Sequence, residues 1–284
     1  MTALSLERIR AHRAKTYRLN QSVSTKDAAV DFVNERGFVF FWPIKGAELP
    51  SLWVAVAGDR PVPNAHDDPG HITWSWKDDL LGKRRWYYAK VLRRKATMIS
   101  LELAPSFYAL SKNYGDPDAD YLQLYMDGTL SREAKLIYET LLHEGPMHTV
   151  ALRKATFMAG KEPNYYFTRG LEELQRDFKV LPVGTAEAGA WRYAYVYDCV
   201  HRHFPDLSSE ARAIGLREAR RTLARRYFAS VGAAQLRDVR KIFWWDNRHV
   251  KQTIHRLVEE GFLRNGLTHP TYSGEWLALP DLVA

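Results

Sequence analysis

The second half of this chain is written approximately twice. One copy reads SREAKLIYETLLHEGPMHTVALRKATFM, NYYFTRGLEELQRDFKVLPVG and WRYAYVYDCV. The other reads LREARRTLARRYFASVGAAQLRDVRKIF, DNRHVKQTIHRLVEEGFLRN and GEWLALP. In each, the apolar spacing predicts helix, glycine break, short helix, loop, longer helix, strand, turn and strand. The helices fall at 132–144, 149–158 and 165–178, then at 217–230, 234–242 and 246–260. The stripes agree: Leu136, Ile137, Thr140 and Leu141 in one, Leu223, Tyr227 and Phe228 in the other. The last helices present Leu171, Leu174 and Phe178, and Ile254, Leu257 and Val258. Strands then begin at Val180 and Phe262.

Helix–turn–helix followed by a β-hairpin is a winged-helix pattern. Each unit is too small to be very stable alone, so several are expected to pack together. The N-terminal third fits the same scheme, with helices at 26–36, 50–57 and 74–82 and a wing over 86–103. Ser24 or Thr25 can cap the first of these and Gly37 stop it, while Pro50 suits the first turn of the second. A basic helix precedes them, with Leu6, Ile9 and Leu19 among Arg8, Arg10, Arg13, Lys15 and Arg18. Residues 58–72, rich in Pro, Gly and Asp, read as loop. Ala104 and Pro105 open a helix to about Tyr114. The acidic DPDAD at 116–120 marks a boundary, with a helix at 118–127 beyond it. The expected fold is mainly α with small β-hairpin wings, as tandem winged-helix repeats. Its segments are 1–115 (basic helix plus first winged helix), 116–205 and 206–284.

Lys plus Arg is 41 and Asp plus Glu 33 in 284 residues, so the net charge is 41 − 33 = +8. That favours a polyanionic partner, nucleic acid before an anionic membrane. With 46% hydrophobic and 13% aromatic residues, a mainly disordered chain is excluded. Cys199 is the only cysteine, which excludes an intramolecular disulfide and Cys-rich zinc or iron–sulfur sites. No apolar run approaches the ~18–20 residues of a spanning helix. The opening MTALSLERIRAHRAKTYRL lacks the apolar core of a secretory signal, so a cytoplasmic location is expected. No phosphate-binding glycine loop, His-rich metal spacing or Ser/Cys nucleophile motif is present, so no cofactor is expected.

The order of elements, with LSREAKLIYETLLHEGP, YYFTRGLEELQRDFKVLPVG and EARRTLARRYFASVG, resembles the AlkZ/YcaQ-type winged-helix DNA glycosylases, from about Leu4 to Leu279. The resemblance implies tandem winged helices around a DNA channel and excision of alkylated bases, with crosslink unhooking in some members. It also implies a Gln–apolar–Gln or Gln–apolar–Asp pair shortly after a glycine in the first winged helix, positioning the attacking water. The matching stretch here is RGFVFFWPIKG, where the polar positions fall on Phe40 and Trp42. Neither can orient a water as an amide or carboxylate can.

Candidate contact residues follow from charge. Lys83, Arg84, Arg85, Lys90, Arg93, Arg94 and Lys95 run without an acid from before the first wing to its tip, suiting phosphate contact. Trp86, Tyr87 and Tyr88 among them could stack on bases, or form the core of a solvated hairpin. Arg212, Arg217, Arg220, Arg221, Arg225, Arg226, Arg237, Arg240 and Lys241 form a second cluster, partly offset by Glu218 and Asp238. Arg217, Arg221 and Arg225 share one helix face, where like charges repel unless a polyanion or salt bridges relieve them. In FVFFW (38–42), Phe40 reads as core. Trp42, beside Pro43 and followed by Lys45, is the better surface candidate for stacking on an unstacked base.

Cys199, His201 and His203 alternate on a predicted strand and would share a face, but a fourth zinc ligand is not evident nearby. Glu48, Asp67, Asp68, Asp78 and Asp79 are acids that could replace the missing pair, or serve as caps and solvated charge.

The expected function is double-stranded DNA binding in DNA repair, recognising damaged or distorted duplex on a glycosylase-like scaffold without its usual base excision. An active alkylpurine or crosslink glycosylase using a different acid, a winged-helix transcriptional regulator and a protein–protein scaffold are the alternatives.

Overall fold

A computed structural model describes residues 3–65 and 67–284. His66, within the predicted loop, and the first two residues lie outside the described residues. Helix ends follow chemistry written in the sequence. α1 (Leu6–Thr16) is the basic helix, and α2 (Lys26–Arg36) starts where Thr25 Oγ1 accepts from the Ala28 N–H at 3.1 Å. Gly37, at φ +83°, ends α2 and leads into β1 (Phe38–Phe40). The left-handed φ is what calls for glycine, and a Cβ there would also push the Leu103 side chain, 2.4 Å from it, aside.

α3 (Leu52–Ala57) begins two residues later than expected. Ser51 Oγ accepts from the Val54 N–H, which makes Ser51 the cap and leaves Pro50 outside the helix. A 3-10 turn at Pro69–His71 feeds α4 (Ile72–Leu80), shortening the predicted loop. β2 (Tyr87–Ala89) and β3 (Thr97–Ile99) follow, then α5 (Ala104–Ala109). α5 stops well short of Tyr114. Ser111 Oγ donates to Tyr108 O, and Asn113 Nδ2 donates to Asp177 O, so local polar side chains replace helical bonds. α6 (Asp120–Met126) is next.

The repeat is explicit from here. Its first copy is α7 (Arg132–Glu144), β4 (Met147–His148), α8 (Thr149–Ala155), α9 (Lys161–Arg176), β5 (Val180–Ala186) and β6 (Ala194–Cys199). α10 (Val200–His203) and α11 (Leu207–Arg212) intervene. The second copy is α12 (Leu216–Val231), β7 (Ala233–Ala234), α13 (Leu236–Phe243), α14 (Asn247–Glu259), β8 (Arg264–Leu267) and β9 (Trp276–Ala278). The two sheets have the same order, β4-β6-β5 and β7-β9-β8, all antiparallel. In the N-terminal third, β1 likewise pairs antiparallel with β3, Phe38 opposite Ile99. The fold is mainly α with small antiparallel sheets.

The chain forms two compact units. The first holds Met1–Ser75, Thr97–Leu103 and Leu216–Ala284, and the second holds Trp76–Ala96 and Ala104–Gly215. In the first, α1 packs on the second repeat copy: Leu4 and Ile9 cluster with Ala233, Leu267, Ala278 and Leu282. In the second, Ile137, Leu141, Leu152, Phe167, Leu174, Val180 and Cys199 form one core. Among the described residues no helix is long and apolar enough to cross a membrane.

Cys199 closes β6, whereas His201 and His203 lie on the one-turn α10, so the predicted shared strand face does not exist. The buried Cys199 thiol is pushed up to about 12 by desolvation. No group of three His, Cys, Asp or Glu among the described residues could hold a metal.

Lys179 gives the second unit a pH signature. It is 3% exposed, donates to Asn113 Oδ1 at 2.6 Å, and burial lowers its pKa from 10.5 to about 8, against the pull of Asp120 and Asp177. Between those values the unfolded chain holds more protons on this amine, so folding stability rises with pH. Buried tyrosines, raised by desolvation, oppose the rise only above their ordinary 10. Denaturant midpoints should therefore rise from pH 8 to 10, by on the order of 1–2 kcal/mol in stability. Lys77, also buried with a lowered pKa, adds to the same rise, so Lys179→Met should reduce it without abolishing it, and an unchanged rise in the variant would refute the assignment.

Candidate nucleic-acid interface

β1 delivers the aromatic run into the first unit with its faces assigned by pairing. Phe38, Val39, Phe40 and Phe41 are all buried, Phe40 at 0% exposure. The Phe40 N–H donates to Pro50 O, and the Trp53 N–H donates to Phe41 O, which fixes the start of α3 against the strand. Trp42 leaves the strand half-buried, and Lys45 beyond it is exposed. The Trp42 ring centroid lies 4.6 Å from Phe41, 5.2 Å from Trp53, and 6.0 Å from both His71 and Trp74. Trp53 is fully buried beneath this group, and Trp74 is 40% exposed.

The segment Pro69–His71 closes the nest. A Cβ on Gly70 would stand 2.7 Å from the Trp53 ring, so only glycine permits the approach. Asp68 caps this turn, accepting from the Gly70 N–H at 2.8 Å, and grips Arg60 bidentately at 2.6 and 2.9 Å. The Arg60 guanidinium in turn sits 5.1 Å over Trp53. Arg60, aided by the Gly70 N–H, holds the Asp68 carboxyl below the usual carboxylate range. Phe41, Trp42 and Trp53 lie in or near the predicted site in sequence. Sequence spacing does not group His71 and Trp74 with them, because their approach depends on the glycine turn.

In the second unit, Lys83, Arg84 and Arg85 are exposed, as is Lys95, and Arg93 and Arg94 are half-buried. Arg84, Arg93 and Arg94 all adopt positive φ, between 50° and 55°. Lys90 pairs with Glu172 at 2.8 Å. The interleaved aromatics are core: Trp86, Tyr87 and Tyr88 are 3%, 0% and 8% exposed, and Tyr87 stacks on Phe178 at 4.4 Å. The expectation that they could stack on bases is thus corrected.

On α12, Arg221 meets Glu218 at 2.7 Å and Glu260 at 3.0 Å. Arg225 shares Glu260 and lies 4.0 Å over Phe262, and Arg226 pairs with Glu102. Glu260, at the end of α14, relieves the repulsion of the Arg217–Arg221–Arg225 face without a polyanion. Arg217 is exposed and has no carboxylate partner among the described residues. It lines a groove of about 650 Å³ of mixed charge, with Arg221 and Arg256 but also Glu218, Glu259 and Glu260.

A family model described as AlkZ-related matches residues 23–244. The chain belongs to the AlkZ-related family. Among solved structures, the Streptomyces sahachiroi DNA glycosylase AlkZ is similar in fold, with a TM-score of 0.57 at 13% identity. The match covers 99% of this chain and 71% of that one. No curated protein matches.

The acids of this AlkZ-related chain are engaged in ways that bear on chemistry. Glu48 pairs with Arg13 at 2.8 Å. Asp78 pairs with Lys77 and accepts from Tyr193 Oη. Asp67 and Asp79 are exposed. Asp68 reaches the Trp42 nest through Arg60 and Gly70, and both its oxygens are occupied there.

Proposed function

We propose that this AlkZ-related chain binds double-stranded DNA as tandem winged helices, over 1–115, 116–205 and 206–284, in a cytoplasmic DNA-repair setting. It recognises damaged or distorted duplex by shape and charge, without base excision. One observation carries the reading. At the two positions matching the family's water-positioning pair, the strand holds Phe40 at 0% exposure and Trp42 within an aromatic nest. Cleaving an N-glycosidic bond requires a placed water and support for an oxocarbenium-like charge. Phe40 has no polar atom, and the Trp42 indole only donates.

The fold-level neighbour is a DNA glycosylase, and the +8 charge suits phosphate. The proposed contacts are Lys45 with Trp42 in the first unit, Lys83, Arg84, Arg85, Arg93, Arg94 and Lys95 in the second, and Arg217 on α12. Lys90, Arg221 and Arg225 must exchange the carboxylates of Glu172 and Glu260 for phosphate to take part.

Duplex affinity should fall steeply with salt. The triple variant Lys83→Gln, Arg84→Gln, Arg85→Gln should weaken binding and flatten the log–log salt slope by about 2–3. Under single-turnover conditions the purified chain should release no N7- or N3-alkylated base. Robust release, abolished in Asp68→Asn, would replace this reading with glycosylase chemistry built on that acid.

A further inference from the structure

α13 carries Arg237, Arg240 and Lys241 on one face, at i, i+3 and i+4, opposite the buried Val239 and Ile242. All three cations are exposed, and among the described residues none is paired with a carboxylate. The arginines Arg221, Arg225 and Arg226 on α12 are all paired. The helix dipole accounts for Arg240 and Lys241 in the last turn but opposes Arg237 in the first. Among the described residues, mutual repulsion at this spacing is therefore not offset by an ion pair.

The same face borders a pocket of about 540 Å³, whose other walls are Trp244 and Trp245. Trp244 is the C-cap of α13 in the left-handed region, at φ 56°, and is 48% exposed. Glycine is the usual residue there, so a bulky aromatic is held at a conformational cost. Trp245 stacks on Phe243 at 4.3 Å, with the planes 11° apart. Phe243 meets Phe38 of β1 and Tyr227 of α12 edge-on, at 5.8 and 5.9 Å. The aromatic wall is thus anchored in the core of the first unit, while its rim is cationic.

Two indoles lining a pocket with two guanidiniums and an ammonium match one ligand chemistry, a planar base joined to a phosphate. We propose that this pocket holds an unstacked nucleotide of a single-stranded segment, with the base against Trp244 and Trp245 and the flanking phosphates on Arg237, Arg240 and Lys241. In this the proposal rests on the DNA-binding reading and adds a second contact point, separate from Trp42. A base within intact duplex is stacked on both faces and cannot lie flat on the wall, so the pocket selects frayed, gapped or looped DNA.

The test uses the full chain with a labelled twelve-nucleotide oligo-dT, an intact duplex, a duplex with an abasic site, and free thymidine monophosphate. Trp244→Gly removes the ring while relieving the backbone, so folding is preserved. It should weaken oligo-dT binding about tenfold and leave intact-duplex affinity within about twofold. Arg237→Gln with Lys241→Gln should weaken oligo-dT binding and flatten its salt dependence by about 1–2 in slope. Unchanged oligo-dT affinity in Trp244→Gly, or an equal loss on oligo-dT and duplex, would overturn the pocket's role. Free monophosphate binding as tightly as the oligonucleotide would overturn the strand as ligand. Parent protein that binds the two duplexes but not oligo-dT would defeat this proposal alone, whereas failure to bind any duplex would defeat the DNA-binding reading itself.

Discussion

Trp53→Ala is expected to destabilise the chain by about 3–5 kcal/mol, the largest loss of any single ring in the aromatic nest. Trp53 is fully buried, and four neighbours converge on it: Trp42 at 5.2 Å, His71 at 5.4 Å, the Arg60 guanidinium at 5.1 Å and the Gly70 backbone. Removing it leaves a cavity that α3 cannot close, because Ser51 and the Phe41 carbonyl pin the start of that helix. Trp42→Ala, at a half-buried ring, should cost about 1–2 kcal/mol, and Trp74→Ala less again. Binding should run in the opposite order. Affinity for abasic or mismatched duplex should fall in Trp42→Ala and Trp74→Ala by more than affinity for intact duplex, since distorted DNA exposes bases at lower unstacking cost. Urea denaturation and duplex titrations on the same preparations check both orders. If Trp74→Ala costs as much as Trp53→Ala, or neither exposed ring affects binding, the nest is core alone.

Where local chemistry decides structure, it was legible. Thr25, one of the two caps the sequence offered, and Gly37 bracket α2, and α7 spans the 132–144 expected from its apolar spacing. The repeat was legible because both copies carry an apolar stripe at helical spacing, although in α7 Leu136 is exposed and Ala134 and Tyr138 join Ile137 and Leu141 in the core instead. What escaped depends on partners remote in sequence or on segments too short to have a period. β4 and β7 have two residues each, so no alternation marks them, and the sequence showed only a glycine break there. Trp86, Tyr87 and Tyr88 are buried one after another, because β2 and its flanks are covered on both faces. The α12 arginines looked uncompensated because Glu260 lies 35 residues beyond Arg225. Within the candidate site, the departure at Phe40 and Trp42 was visible in the sequence. The convergence of His71 and Trp74 on Trp42 was not, since it requires Gly70 to pass against Trp53.

Lys77→Ala should be comparably damaging, by about 3–5 kcal/mol, for a different reason. The Lys77 side chain on α4 is 0% exposed. Its ammonium meets Asp78 Oδ1 at 2.7 Å, donates to the hydroxyls of Tyr193 and Tyr195, and lies 4.5 Å from the Tyr195 ring centre. Desolvation pulls its pKa down and Asp78 pulls it back, so the charge persists only through those partners. Alanine would remove the cation, strand the Asp78 carboxylate at 19% exposure, and leave a void among three tyrosines. Lys77→Met keeps the volume and removes the desolvated charge. It still leaves the Asp78 carboxylate without its cation, so its cost should fall only to about 2–4 kcal/mol, whereas Lys77→Met with Asp78→Asn, which removes both charges, should be neutral or stabilising. The ranking separates packing from charge. A methionine variant as unstable as alanine, with no recovery in the double variant, would mean that the ammonium itself holds α4 to the β6 hairpin through Tyr193 and Tyr195. Recovery would make the buried charge a costly replacement for an apolar contact.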